Sequence, residues 1–522
     1  MAAALAARGI DTVFGLPGGE ILAFVDACRR AGLRFVLTAH EGSAAWMAQV
    51  MGQLTATPGV CAATLGPGAA NLMTAVANAW LDRAPMLAVT AQIPAGAIST
   101  MTHQRLPLDR MFAPLTKSSF SVGALDTTAL VNHCLDLANA PRPGPVHLLL
   151  ASDTAVETCR AGAEPPGPTP AAATAGTIQS IIDGVNRSTR PLVLIGLGAA
   201  PQAAPAIRRL IDKLQCPFVV TPKVKGIAPE DHPQFAGVAS GMAMDREVVA
   251  TLQEADLIVA IGFDPVECDK TWFASLNVAA IDTVSMAEGE YRPVEAIGEI
   301  ASLADLLTAG TCGSKAWPAD LLDARRQALR PILHQAAGAQ GVSPIRLIEE
   351  LRQIFPRDGI AVCDVGSHKL AMGQFWSSYE PGTFLMSNGL SGMGFGIPAA
   401  IAAQLALPKK AVMAVVGDGG MLMMIHDLGL IREAGLPILI VVCRDASLSL
   451  IRLSAERRGY PPCGVDFSPP DFPAIAEAFG ITAGRADSLA EARAQVERAL
   501  ERRVAYLLEV PVDWREYAEV IR

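Results

Sequence analysis

Two short apolar runs, each followed at once by an acidic turn, limit how the C-terminal third of this chain can fold. Residues 411–416 run into Gly-Asp-Gly-Gly at 417–420, and residues 437–443 run into Arg-Asp at 444–445. Apolar runs of this length are typical of strands that are buried on both faces of a parallel sheet. Each aspartate therefore follows the carboxyl end of a strand, which is where open α/β sheets bind their ligands.

These two aspartates, Asp418 and Asp445, predict a metal diphosphate as the ligand. Carboxylate oxygens are the ligands that Mg²⁺ prefers, and the glycines beside Asp418 let backbone amides approach a phosphate closely. A Gly-Asp-Gly sequence after a strand is by itself more often only a tight turn. Other motifs in the chain are therefore needed to distinguish a metal-diphosphate site from a tight turn.

The composition argues against several classes of function. Of the 522 residues, 51% are hydrophobic and 18% are charged, and the net charge of −9 disfavours a nucleic-acid partner. The apolar runs are far shorter than the roughly 20 residues of a membrane span, and the N-terminus lacks a signal-length apolar core. We therefore expect no membrane partner and a cytoplasmic location. The ten cysteines include no Cys-x-x-Cys pair, so we expect neither zinc nor disulfides.

Segments rich in proline, glycine and alanine divide the chain into three blocks. Two such segments, at 162–176 and 309–316, are typical of linkers. The predicted domains are 1–160, 177–310 and 343–522. Short apolar runs alternate with helical stretches, which predicts an α/β fold of three doubly wound domains with parallel sheets.

The chain resembles the thiamine diphosphate (ThDP) enzymes, whose cofactor motif opens with Gly-Asp-Gly and ends in an Asn-rich turn about this far downstream. A second match begins at His40-Glu41, after a predicted strand. By position alone, Glu41 is an acid in the first turn of a helix, where the helix dipole favours it. The resemblance implies instead that Glu41 is the catalytic glutamate that hydrogen-bonds the aminopyrimidine ring. It also implies that 1–160 binds the pyrimidine and that 343–522 binds the diphosphate and Mg²⁺.

Further loops match the family and imply the remaining site residues. The implied cofactor-binding residues are Pro17, Gly18, Pro67, Asn71, Ser367, His368, Ser391, Met393, Gly417, Asp418, Gly419, Gly420, Asp445 and Leu448. The implied metal ligands are Asp418, Asp445 and Ser447. Met393 matches the bulky apolar residue that lies under the cofactor, although methionine is also a common core residue.

Within the family, the chain resembles most the FAD-independent, catabolic type of acetolactate synthase. Gln104 matches a glutamine that lines the active site of those enzymes, so we interpret it as a second catalytic residue. The resemblance implies a carboligase that transfers a pyruvate-derived two-carbon unit to a carbonyl acceptor. It also implies a homodimer or homotetramer whose active sites combine 1–160 of one subunit with 343–522 of its neighbour.

Several departures from the family leave alternatives open. The turn is Arg444-Asp445 where the family has Asn-Asn or Asn-Asp, and Glu20 stands where the catabolic enzymes have a lysine. The helix predicted at 450–458 is basic, which suits an anionic acceptor or simply a solvated face. The alternatives are a simple 2-oxo acid decarboxylase, a ThDP-dependent lyase or acyltransferase, and a non-catalytic homologue that has lost its cofactor.

The middle block carries only part of a nucleotide-binding signature. An apolar run ends in Gly-Leu-Gly at 196–198, but the six-residue glycine fingerprint is incomplete. Middle domains of this family hold FAD in some members, ADP in others and nothing in many. We expect a Rossmann-like scaffold that holds no FAD.

Overall fold

The computed structural model describes residues 1–55, 57–123, 126–157, 178–240, 245–267, 275–285, 294–328 and 341–518. The linker predicted at 162–176 and the domain limits placed at 160 and 177 lie outside these residues. The described residues form three six-stranded sheets in which every strand pairing is parallel, with helices on both faces. The prediction of three doubly wound parallel-sheet domains is confirmed.

The first sheet has the strand order β2-β1-β3-β4-β6-β5. Its strands are β1 Thr12–Leu16, β2 Arg34–Leu37, β3 Gly59–Ala63, β4 Met86–Gln92, β5 Ser119–Ser121 and β6 Pro145–Ala151. The connecting helices are α1 Ala2–Ala7, α2 Leu22–Arg30, α3 Glu41–Thr55, α4 Pro67–Asn71, α5 Met73–Leu81, α6 Leu108–Phe112 and α7 Thr127–Asn139, with short 3₁₀ helices at Gly19–Ile21, Ala95–Ala97, Ala113–Leu115 and Thr154–Val156. All residues of β3 and β4 are buried, as expected of strands covered on both faces.

The second sheet has the order β12-β11-β10-β7-β8-β9. Its strands are β7 Pro191–Ile195, β8 Phe218–Val220, β9 Phe235–Val238, β10 Leu257–Ile261, β11 Val278–Asp282 and β12 Ala296–Ile297. Its helices are α8 Ile178–Arg187, α9 Ala204–Leu214, α10 Asp245–Glu254, α11 Ile300–Gly310 and α12 Ala319–Ala328, with 3₁₀ helices at Pro201–Ala203 and Pro222–Val224. Alternate residues of β7 enter two separate cores, since Val193 and Ile195 face one and Leu192 and Leu194 face the other.

The third sheet has the order β14-β13-β15-β16-β18-β17. Its strands are β13 Ile360–Cys363, β14 Phe384–Met386, β15 Val412–Gly417, β16 Ile438–Arg444, β17 Thr482–Arg485 and β18 Tyr506–Pro511. The helices of this region are α13 Pro344–Ile354, α14 Ser367–Phe375, α15 Gly396–Ala406, α16 Asp418–Met423, α17 Leu428–Glu433, α18 Ser449–Arg457, α19 Phe472–Ala478 and α20 Leu489–Arg502, with 3₁₀ helices at Ile425–Asp427 and Trp514–Glu516.

The chain divides into two compact units, each built from segments that are not contiguous in the sequence. One unit contains Met1–Pro170 with Gly389–Lys409 and Met424–Leu436, and the other contains the remaining residues. Helices α15 and α17 therefore belong to the unit of the first sheet, where Phe395 meets Trp46 of α3 edge-on with ring centroids 5.4 Å apart.

None of the described helices combines the length and apolar character that a membrane span requires.

Candidate functional site

In the unit of the first sheet, several predicted site residues follow the carboxyl ends of neighbouring strands. Pro17 and Gly18 follow β1, Glu41 follows β2, Pro67 follows β3, and Gln104 lies in the loop after β4. These four strands are consecutive in the sheet order β2-β1-β3-β4. Because the strands are parallel, their carboxyl ends meet at one edge of the sheet, where ligands bind in such folds.

Glu41 is the first residue of α3, and its side chain is held by Asn71. Glu41 is only 6% exposed, and its Oε2 accepts a hydrogen bond of 2.9 Å from Asn71 Nδ2. The other oxygen, Oε1, faces Gly68, since a Cβ placed on Gly68 would lie 3.2 Å from it. The structure thus brings two predicted site residues together and fixes the carboxylate in a buried position.

Gln104 lies on an exposed loop and rests on the turn that follows β3. Its backbone φ of +55° is unusual for a residue with a side chain. Its Cβ lies only 2.8 Å from where a Cβ of Gly66 would be, and Gly66 itself has a φ of +60°. A residue other than glycine at position 66 would therefore displace Gln104.

The residues around Met393 belong to the same unit as Glu41. A Cβ placed on Gly392 would lie 3.2 Å from Cη2 of Trp46, which is on α3. Met393 is half-buried, and Ser391 is exposed with a φ of +55°. The structure therefore brings Met393 beside the helix that begins with Glu41.

A buried acid that sequence reasoning missed, Asp427 of the 3₁₀ helix Ile425–Asp427, lies against the same helix. Asp427 is 1% exposed, and its Oδ2 accepts a hydrogen bond of 2.8 Å from Ser43 Oγ. Burial raises the pKa of Asp427 to about 7, and its Oδ1 has no hydrogen-bond partner. His426 Nε2 lies 3.3 Å from Ser43 Oγ. No spacing in the sequence indicates this cluster, because Ser43 and Asp427 are far apart in the chain.

In the other unit, the remaining predicted residues follow three neighbouring strands of the third sheet. Ser367 and His368 begin α14 after β13, Asp418 begins α16 directly after β15, and Asp445 follows β16. These strands are consecutive in the order β13-β15-β16. The expectation that both aspartates stand at carboxyl ends of adjacent strands is confirmed by this arrangement.

The Asp418 carboxylate connects the turns that follow β15 and β16. Its Oδ2 accepts hydrogen bonds from the backbone N–H groups of Ala446 at 2.7 Å and Asp445 at 3.2 Å. Its Oδ1 accepts one from Gly419 N at 2.8 Å. Burial raises the pKa of Asp418, while these hydrogen bonds and the charge of Arg444 oppose the rise. Oδ1, which accepts a single hydrogen bond, keeps lone-pair capacity for a cation.

Asp445 is the second carboxylate of this edge. Its Oδ1 accepts a hydrogen bond of 3.1 Å from Ser447 N, and its Oδ2 accepts one from Ser449 Oγ. Burial raises the pKa of Asp445 to about 7, and the charge of Asp418 adds to the rise. The segment around Val465 also holds this turn, because Leu448 N donates a hydrogen bond of 2.7 Å to Val465 O. Two carboxylates and the backbone of this turn are hard oxygen donors of the kind that Mg²⁺ binds.

The glycine-rich turn after β15 packs closely against the segment that follows β13. A Cβ on Gly420 would lie 1.9 Å from Asp364 Oδ2, so only glycine fits there. Ser367 Oγ and His368 Nε2 are buried without a hydrogen-bond partner. Burial lowers the pKa of His368 to about 4, so this ring is neutral at pH 7. Unpartnered polar groups beside a glycine-rich turn fit a phosphate-bearing ligand.

The basic helix α18 does not offer Arg452 to an anionic acceptor. The Arg452 guanidinium bonds to Asp466, and its Nε donates to Ser447 Oγ at 3.2 Å. It also stacks over Trp514, with 5.1 Å from Cζ to the ring centroid. Arg452 therefore holds the turn after β16 in place. Among the described residues, no three His, Cys, Asp or Glu side chains are grouped as metal ligands.

The Gly-Leu-Gly turn of the second sheet is already saturated by internal hydrogen bonds. Gly196 N donates to Ile261 O at 2.9 Å, and Gly198 N donates to Gly262 O at 2.7 Å. Leu197 N donates at 2.7 Å to Oε2 of Glu267, a buried carboxyl group. Burial raises the pKa of Glu267 to about 8. These N–H groups are committed to acceptors within the domain.

Comparison with known proteins agrees with the three sheets. Residues 1–111 match the N-terminal thiamine pyrophosphate binding domain, 178–309 match the central domain of these enzymes, and 364–510 match their C-terminal thiamine pyrophosphate binding domain. Each match covers most of one sheet with its helices.

Proteins similar over nearly the whole chain are acetolactate synthases. The chain is 30% identical to acetolactate synthase of Bacillus subtilis (98% of this chain, 92% of the relative) and 30% identical to acetolactate synthase isozyme 2 large subunit of Escherichia coli (98% and 94%). It is 29% identical to a catabolic acetolactate synthase of Raoultella terrigena (98% and 94%). The chain therefore belongs to the thiamine diphosphate enzymes, as an acetolactate synthase-like member of that family.

Proposed function

We propose that this chain is a ThDP- and Mg²⁺-dependent enzyme that decarboxylates a 2-oxo acid such as pyruvate and joins the two-carbon unit to a carbonyl acceptor. The observation that carries the proposal is that Asp418 and Asp445 follow adjacent strands, near the unpartnered polar atoms of Ser367 and His368. Two hard carboxylates beside buried polar groups without partners suit a metal diphosphate. The acetolactate synthase relatives support pyruvate as the donor and a carboligation as the reaction.

The residues of this chain divide the work as follows. Bound ThDP supplies the stabilised carbanion that the reaction needs. Asp418, Asp445 and Ser447 would hold Mg²⁺, and Ser367 and His368 would contribute polar groups to the cofactor site. The other cofactor contacts assigned from the sequence come from the strand-end loops described above.

On the pyrimidine side, Glu41 holds and exchanges a proton at the aminopyrimidine ring, and Asn71 keeps the carboxylate in position for that exchange. Met393 would contact the bound cofactor. Gln104 lies on the exposed loop and contacts the substrate.

We also propose that the enzyme works without FAD. A dinucleotide at the second sheet would need free N–H groups on the Gly-Leu-Gly turn for its phosphates. Internal acceptors, among them the Glu267 carboxyl group, take those N–H groups. The purified protein should show no flavin absorbance and should be active without added FAD, whereas a stoichiometric flavin spectrum would contradict this.

The proposed assembly is a homodimer or homotetramer in the cytoplasm, with active sites shared between subunits. Apolar side chains remain exposed beside both groups of strand ends in the single chain. Leu422 and Met423 of α16 are 40% and 51% exposed, and Leu37 at the end of β2 is 56% exposed. Exposed apolar groups beside a site are typical of surfaces that a partner covers. The proposed domain limits are 1–160, 177–310 and 343–522.

The test is a product analysis. The purified protein with ThDP and Mg²⁺ is given pyruvate alone and then pyruvate with a panel of aldehydes and 2-oxo acids, and products are identified by mass spectrometry. We expect a carboligation product and a requirement for Mg²⁺ that EDTA abolishes. Release of the free aldehyde alone would identify a simple decarboxylase, and no consumption of any 2-oxo acid would refute the proposal.

A further inference from the structure

We propose that Arg444 is an additional binding residue for the diphosphate of the cofactor and that it compensates the charge of Asp445. This inference rests on the proposed function, because it assumes that the strand ends of β15 and β16 bind a metal diphosphate. Arg444 is the last residue of β16 and directly precedes Asp445.

The position of the Arg444 side chain is fixed by a carboxylate that another arginine already uses. Glu509 on β18 is fully buried, and its Oε1 lies 3.6 Å from Arg444 Nε. The same oxygen accepts from Arg485 Nε and also lies 2.8 Å from an Arg485 terminal nitrogen. Glu509 therefore attracts Arg444 but accepts its arginine hydrogen bonds from Arg485.

The Arg444 guanidinium consequently retains donors for a ligand. Its Nε is buried without a hydrogen-bond partner, and the side chain as a whole is one-third exposed. Arg452, which lies on the next helix, is instead committed to Asp466. A guanidinium that lies beside Glu509, directly precedes Asp445 in the chain and still has free donors suits a phosphate group, which it can bind through two N–H groups at once.

The charges of Asp418, Asp445 and a divalent cation also favour a role for Arg444 at the diphosphate. Asp418 and Asp445 together neutralise one divalent cation, so the diphosphate would face the site without a surplus positive charge. An asparagine in place of Asp445 would leave one positive charge of the metal for the diphosphate. Arg444 restores that charge, and we infer that Arg444 and Asp445 act as a pair.

The test is the affinity for ThDP, measured by calorimetry at saturating Mg²⁺ for the wild type, Arg444→Asn, Asp445→Asn and the double variant. We expect Arg444→Asn to weaken binding by about 10- to 100-fold, the range for a lost hydrogen bond between charged groups. The double variant should recover to within a few fold of the wild type. Magnesium pyrophosphate, used as a competing probe, should lose affinity in parallel because Arg444 acts on the diphosphate.

Two further variants separate this role from a structural one. Arg209→Gln removes a guanidinium from an ion pair with Asp305 in the domain of the second sheet, so it should leave ThDP affinity unchanged. Arg444→Lys keeps the charge without the planar fork and should bind ThDP with intermediate affinity. Equal losses of ThDP affinity in Arg444→Asn and Arg209→Gln, or wild-type affinity in folded Arg444→Asn, would overturn the inference alone. Failure of the wild type to bind ThDP would overturn the proposed function as well.

Discussion

Replacing Glu41 by glutamine tests the proposed proton exchange with little disturbance of the fold. Glutamine has the same size, and its amide oxygen can still accept the hydrogen bond from Asn71 Nδ2, which is 2.9 Å long in the wild type. The bond changes from a charge-assisted to a neutral one, which costs about 1 kcal/mol in the free energy of unfolding. The variant should therefore fold and bind ThDP nearly as the wild type does.

The effect on catalysis should be much larger than this structural cost. A lost general acid–base contribution lowers turnover by about 10²- to 10⁴-fold, which corresponds to roughly 3–5 kcal/mol in the activation barrier. If Glu41 were only an acid that favours the helix N-terminus, the whole effect would be within about 1 kcal/mol. The two interpretations thus differ by a margin that kinetics resolves.

The decisive assay is hydrogen–deuterium exchange at C2 of bound ThDP, followed by NMR beside steady-state turnover and calorimetry of cofactor binding. Exchange should slow in parallel with turnover in Glu41→Gln. Asp126→Ala is the control, because Asp126 caps helix α7 by accepting a 2.8 Å bond from Ala129 N. Its loss should cost about 1 kcal/mol of stability and leave exchange unchanged. Wild-type exchange in Glu41→Gln would refute the role of Glu41.

Three further predictions concern the metal site, the assembly and the second sheet. Asp418→Ala should abolish ThDP retention in calorimetry at ordinary Mg²⁺, because Asp445 alone cannot fix the ion; unchanged affinity would contradict the assignment. Mixing Glu41→Gln with Asp418→Ala subunits after dissociation should restore about a quarter of wild-type activity if sites are shared, since half of randomly paired dimers regain one of two sites; no recovery would mean that each chain builds its own site. Because burial raises the pKa of Glu267 to about 8, well above that of an unfolded glutamate, the folded state holds its proton longer and wild-type stability should fall as pH rises from 5 to 8. The melting temperature of Glu267→Gln should change less with pH over that range than that of the wild type. Equal pH dependence of the two melting temperatures would contradict the raised pKa of Glu267.

The sequence determined the strands and the positions of the acidic turns through local rules. Predicted runs at 411–416 and 437–443 became β15 and β16, displaced by one residue, because a continuous apolar run of this length suits a strand with both faces covered. The segment at His40-Glu41 opens a helix, as its position after a predicted strand indicated. Glycines and aspartates after such runs also indicated where the strands end.

Only the tertiary structure decided which side chains meet across the chain. Nothing local indicates that Glu267 accepts from Leu197, that Arg452 is taken by Asp466, or that Glu509 attracts Arg444. The same holds for the placement of 389–409 in the unit of the first sheet. Apolar periodicity has a range of a few residues, whereas these contacts depend on how whole sheets and helices pack. The sequence suggested the basic helix at 450–458 for an anionic acceptor, whereas packing commits Arg452 of that helix to Asp466 and leaves Arg444 with free donors.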